Sequence, residues 1–207
     1  MKSIIISALI LLALATDSRA GTEVLTFDDL PVPGYAFFGV AVVPNGYGSL
    51  VWDNFSYLDS TQVEGLNGYL NGTVSGQQLA FNGQGALPAS ISDPTPFNVN
   101  AVYMTAAWDI TLSVEVVGSR NGTVMYDRTF DVVDTGPTLF SLNYLNVDRV
   151  QFISLSGTRD FAFQGQGDEF AIDNLSVTVP EPAIPAVAAF AALVLAIIRS
   201  RSEHAPA

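Results

Sequence analysis

The stretch that decides the fold is DITLSVEVVGSRNGTVMYDRTFDVV, residues 109–133. From Ile110 to Val117 apolar and polar residues alternate. Ile110, Leu112, Val114 and Val116 fall on one side, and Thr111, Ser113 and Glu115 on the other. A period of two marks a strand with one buried face. Arg120-Asn121-Gly122 follows, and a second β-favouring run opens at Thr123. Asn-Gly supplies the two left-handed residues that a tight turn between twisted strands requires. The stretch reads as a β-hairpin, 110–117 against 123–133.

The same reading extends outward. Further β-favouring runs are Thr22–Phe27, Leu50–Tyr57, Leu79–Asn82, Phe97–Trp108, Thr138–Leu142, Val147–Leu155 and Glu169–Thr178. Clusters of Gly, Asn, Asp and Pro separate them, and residues 28–48 read as one long loop. In Phe97–Trp108, Val99, Ala101 and Tyr103 share a face; Val147–Leu155 carries apolar residues in both registers, as a strand covered on both faces would. No segment of the body has helical periodicity. Eight to ten strands at this spacing predict an all-β domain, an antiparallel β-sandwich of jelly-roll-like type.

The two ends have a different composition. Met1-Lys2, the apolar run Ile4–Ala15 and Ser18-Arg19-Ala20 predict a signal peptide that signal peptidase cuts after Ala20. The uncharged run 183–198 predicts a C-terminal transmembrane helix, at the short end of the spanning range. Arg199 and Arg201 place its far end in the cytoplasm. The expected layout is a signal peptide at 1–20, an ectodomain at 21–178 and a membrane tail at 179–207.

Val179-Pro180-Glu181-Pro182, the apolar run and the two arginines come in that order at the C-terminus. Together they resemble the PEP-CTERM protein-sorting signal of Gram-negative bacteria. The resemblance implies export across the inner membrane and transient anchoring. An exosortase-type transpeptidase would then process the chain at Pro180, Glu181 and Pro182, with delivery to the cell surface or the extracellular matrix. The body also resembles the β-sandwich ectodomains often attached to such tails, in Phe27-Asp28-Asp29-Leu30, Pro44–Gly48, Trp52–Phe55 and Phe170–Leu175. That resemblance implies a fold and no activity; association with exopolysaccharide or biofilm is the expected setting.

Composition closes several routes. The chain has no cysteine, its one histidine is His204 in the tail, and residues 21–182 hold no lysine. Thiol catalysis, a Ser-His-Asp triad and a His-ligated zinc are therefore outside the body's means. Eighteen acidic residues against four arginines in that span repel nucleic acid. A non-catalytic protein is expected.

Three constellations remain. Neighbouring first and last strands would bring Asp28 and Asp29 near Asp173, a set of hard oxygen donors suited to a structural calcium ion; the alternative is that they serve as turn and cap residues. Tyr47 and Trp52, with Asp53 and Asn54 beside them, are candidates for binding a carbohydrate, the rings stacking and the polar groups holding hydroxyls. The alternative is that these aromatics form the core, where aromatic burial is largest. Asp168-Glu169 is the best carboxylate pair for glycoside hydrolysis, but adjacent strand residues face opposite ways.

Overall fold

The structure, a computed structural model, describes residues 21–34, 39–85 and 87–179. The signal peptide with Ala20, the residues Pro180, Glu181 and Pro182, the apolar run 183–198 and the aromatics Tyr35, Phe37 and Phe38 lie outside the described residues. Among the described residues no helix is long and apolar enough to cross a membrane.

Among the described residues ten antiparallel strands form one hydrogen-bonded sheet, eight of them along a single path. In chain order they are β1 (Gly21–Leu25), β2 (Val40–Val42), β3 (Val51–Asp53), β4 (Phe55–Asp59), β5 (Gln78–Asn82), β6 (Ala89–Ala106), β7 (Asp109–Arg120), β8 (Thr123–Val133), β9 (Thr138–Arg159) and β10 (Phe170–Val179). The spatial order is β2-β4-β5-β10-β6-β9-β7-β8, with β1 on β10 and β3 on β6. β4 and β9 are separated by three strands along this path. Yet Phe55 of β4 and Phe152 of β9 sit 5.8 Å apart, ring centre to ring centre. The path therefore folds over on itself, and its inner faces enclose one core. The all-β antiparallel sandwich read from the sequence is the fold.

The hairpin forms as read. Leu112, Val114 and Val116 are fully buried in the core. Arg120 pairs with Thr123 around Asn121 (φ 49°) and Gly122 (φ 75°). Ile110 departs from the expected face, being half exposed; the β7–β9 register shifts between Asp109 and Thr111.

Elsewhere single residues redirect strands. The run 50–57 is two strands, because Asn54 takes a left-handed conformation (φ 54°) between them. β3 then pairs with β6, and β4 with β2 and β5. β6 begins eight residues before the expected Phe97. Pro94 and Pro96 lie in that added half and give no N–H to the ladder. The register with β9 shifts there, between Ser92 and Phe97, and again between Phe97 and Val99 and between Val99 and Ala101. The last of these shifts changes which face points inward: Phe97 and Val99 are buried, then Val102 and Met104 rather than Ala101 and Tyr103. The two runs expected at 138–142 and 147–155 are one strand, β9, with Asn143 and Asn146 left-handed within it. Among its described residues the long early loop holds β2 and the 3-10 turn Tyr47–Ser49.

A second small core lies on the outer face of β4, β5 and β10. Leu58, Leu79, Phe81 and Ala171 are buried there beneath Tyr69, which belongs to the one-turn helix α1, Gly68–Gly72. Asn67 caps this helix by accepting from the Leu70 N–H at 2.8 Å. β5 is consequently buried on both faces along its whole length.

Candidate functional site

The aromatics expected to meet a sugar are packed inward. Trp52 is 4% exposed. Its ring lies 5.7 Å from Phe27 and 5.2 Å from Phe55, edge-on to both. Its Nε1–H donates to the Tyr47 carbonyl at 2.9 Å. Tyr47 packs 5.5 Å from Phe27. Its hydroxyl accepts from the Phe27 N–H and donates to Asp29 Oδ1, both at 2.9 Å. Burial, then the Asp29 carboxylate, holds this phenol well above its ordinary pKa. Both rings are thus structural, and the face of Trp52 is closed to a ligand. The physical reason is alternation: Trp52 and Asp53 are neighbours on β3 and point to opposite sides.

Asp53 and Asn54 face outward and line a groove of about 470 Å3 with Gln84, Leu87, Pro88, Arg149 and Gln151. Register builds its floor. Asp53 pairs with Ser90 across β3–β6, and Ser90 with Gln151 across β6–β9. Ser92 pairs with Arg149 in the next row of the same face. Arg149 donates to Ser90 Oγ at 3.1 Å, which fixes the guanidinium over the floor. One wall is anchored by Asn54, whose side-chain amide donates to the Leu87 carbonyl at 2.9 Å. Val147–Leu155 was expected to be covered on both faces; Val150 and Phe152 are buried, but Arg149 is exposed and Gln151 only partly buried, so its outer face is open.

A carboxylate, side-chain amides and a guanidinium here converge on one open surface. Carboxylates accept hydrogen bonds, guanidinium donates them, and amides do both. A ligand with adjacent hydroxyls matches such a set. Asp53 is the one carboxylate among the lining residues, whereas glycoside hydrolysis uses two.

The first and last strands do meet. Asp173, 1% exposed, accepts on Oδ2 from the N–H groups of Val74 at 2.7 Å and Ser75 at 3.0 Å. Its Oδ1 accepts from the Asn174 N–H at 2.7 Å. Asp28 Oδ1 accepts from the N–H groups of Gln77 and Gln78 at 3.0 and 3.1 Å. Ser75 Oγ reaches Asp28 Oδ2 at 3.1 Å and Asn174 Oδ1 at 2.8 Å. The two carboxylates together tie the 73–78 turn to the sheet. Burial pushes the Asp173 carboxyl up to about 6, with the N–H donors opposing the rise and the nearby Asp28 charge adding to it. Asp29 belongs to neither group, being exposed and hydrogen-bonded to Tyr47. A calcium ion at Asp28, Asp29 and Asp173 would need those oxygens free, and on Asp28 and Asp173 they are occupied by donors. The residues fit a turn-holding role.

A second acidic group gathers residues of which the sequence singled out only Glu169. Asp109 opens β7, Asp134 follows β8, Asp160 follows β9 and Glu169 precedes β10. The Asp109 and Asp134 side chains are 5% and 3% exposed, and each has an Oδ2 without a hydrogen-bond partner. Burial, then contact with the Asp160 carboxyl, pushes the Asp134 carboxyl up. Burial, then the charges of Asp168 and Asp134, does the same to Asp109. Glu169 is raised chiefly by burial. Asp168 is exposed while Glu169 is partly buried, so the expected pair does not face one space.

Comparison with known proteins gives no matching family model and no matching curated protein. Among solved structures, a DUF4465 family protein from Bacteroides ovatus superposes at a TM-score of 0.48 and 8% identity. The match covers 78% of this chain and all of that one. A CBM51 from Clostridium perfringens GH95, in complex with methyl-galactose, gives 0.38 at 10% identity over 75% of this chain and all of that one. TmCBM61 in complex with β-1,4-galactotriose gives 0.32 at 14% identity, covering 74% and 99% of the two chains.

Proposed function

We propose that residues 21–179 form a non-catalytic glycan-binding module. Its site is the groove between β3, β9 and the residues Gln84, Leu87 and Pro88. One observation carries this reading: Asp53, Gln84, Arg149 and Gln151 converge on one open groove of about 470 Å3. Recognition there proceeds through hydroxyls rather than by ring stacking, because Trp52 lies in the core and Tyr47 packs against it. The acidic surface favours a neutral polysaccharide over an anionic one. The PEP-CTERM-like tail supports a setting at the cell surface or in the extracellular matrix, with the mature chain ending near Pro182.

A glycan array probed with the purified protein tests the binding. Binding to a neutral polysaccharide is expected, and Arg149→Ala should weaken it at least tenfold, since an ionic hydrogen bond contributes about 1.5–3 kcal/mol. No hit on the array, or equal binding by Arg149→Ala and Asp53→Ala, would remove the groove from the reading. The delivery reading has its own measurement, the C-terminal mass of the mature protein from its native host. A terminus at Ala207 would make the chain a plain membrane-anchored protein.

A further inference from the structure

The geometry points to a divalent-cation site at the pole where β7 begins and β8 and β9 end, with the Asp134 and Asp160 carboxylates as its charged ligands and calcium as its natural ion. Three observations lead there. First, backbone pairing gathers acids from three strands. Asp109 pairs with Arg159 at the end of β9, and Val133, next to Asp134, pairs with Thr111. Second, Asp109 and Asp134 are more than nine-tenths buried, and each carries a carboxylate oxygen with no donor. An uncompensated buried charge is costly, so such an oxygen needs a cation or a proton. Third, Arg159, the cross-strand partner of Asp109, is turned elsewhere. The Arg159 guanidinium donates to the Gly165 carbonyl at 3.3 Å and lies 5.4 Å over the Phe161 ring.

The ligand class follows from the atoms. Every donor is oxygen, and the body offers no histidine or cysteine. Such a set selects hard cations, and calcium tolerates irregular shells completed by carbonyls and water. Among the described residues no three carboxylates close on one point. Asp134 and Asp160 therefore supply the direct contacts, while Asp109 adds negative field from the side. Bound there, the ion would join the turn after β8 to the loop after β9. It would also reach α1 indirectly, since Asn71 donates to the Asp134 carbonyl at 2.8 Å.

Terbium is the probe, because Trp108 adjoins the site: its carbonyl accepts from the Asp160 N–H at 2.9 Å. With the purified full chain at pH 7.5, excitation of tryptophan should sensitise terbium emission, and calcium should displace it. Melting temperature should rise by about 5–10 °C at a hundredfold excess of calcium over its Kd. Asp160→Asn, at a partly exposed position, should abolish both signals, and Asp134→Asn gives a second test should that variant not fold. Asp28→Asn should leave both signals in place. Loss of the signals in Asp28→Asn but not in Asp160→Asn would overturn the assignment in favour of the other acidic group. A melting temperature that rises with acid and ignores millimolar calcium would overturn it too, with a proton as the occupant.

Discussion

Asp173 and Asp134 are buried alike, at 1% and 3% exposure, and differ in what surrounds them. Asp173 meets three backbone N–H groups at 2.7 to 3.0 Å. Asp134 meets another carboxyl, and one of its oxygens meets no donor. Burial raises both groups, but only the first is held by N–H groups from a distant segment of the chain. The difference separates a carboxylate that organises a turn from one that awaits a counter-charge. Exposure alone would not have told them apart.

The contrast can be broken experimentally. The largest effect is expected for Asp173→Ala, which strands three N–H groups at once and should cost about 3 kcal/mol or more in urea unfolding. A cost near zero would mean that water replaces the carboxylate and that the turn does not depend on it. Gly76→Ala should cost about 2 kcal/mol, because φ there is +52° and a Cβ would collide with the Asp28 carboxylate. Asp134→Asn should behave oppositely. Without calcium it should leave stability unchanged or raise it by about 1 kcal/mol, since it removes a buried charge rather than a partner. A loss above about 2 kcal/mol would show that Asp134 has donors after all.

The smallest effect is in pH. Asp173 has a folded value of about 6 against an unfolded value of about 3.9. The folded state therefore holds its proton more tightly. Its contribution is full below the unfolded value and is lost as pH rises through the folded one. Asp109 and Asp134, also raised, act with the same sign. Asp59 acts the other way. Burial would raise its carboxyl, but donors from Thr61 and Gln62 outweigh it and hold it low. Its contribution is present above the unfolded value and lost as pH falls through the folded one. Stability of the calcium-free protein should accordingly fall between about pH 4 and 6, and Asp134→Asn should flatten that slope. An unchanged slope would place the titration on Asp173 and Asp109.

The fold was legible where one residue type settled the backbone. Asn121-Gly122 specified the hairpin, and alternation specified the buried face of β7. It was illegible where the chain broke its own rule. Pro94 and Pro96 hid the first half of β6, and Asn143 and Asn146 made β9 look like two strands. α1 is a single turn, too short to show a period. The meeting of Asp28 with Asp173 followed from the pairing of first and last strands, though not the N–H groups that occupy them. Asp53 and Asn54 were found by type. Arg149 and Gln151 were not, because they reach the groove only through the β6–β9 register, and no local pattern encodes a register between distant segments.

The pairing of Gly21 with Val179 has a mechanical consequence. While the chain is anchored through its C-terminal tail, as the sorting reading implies, any pull on the protein enters at the end of β10. That strand is bonded on one side to β1 through residues 175–179 and on the other to β6 through Ser176–Thr178. Antiparallel hydrogen bonds lie across the strand, so tension along β10 shears several of them together instead of opening them one by one. A module held in a matrix by its last strand would thus resist drag at the place where the drag is applied.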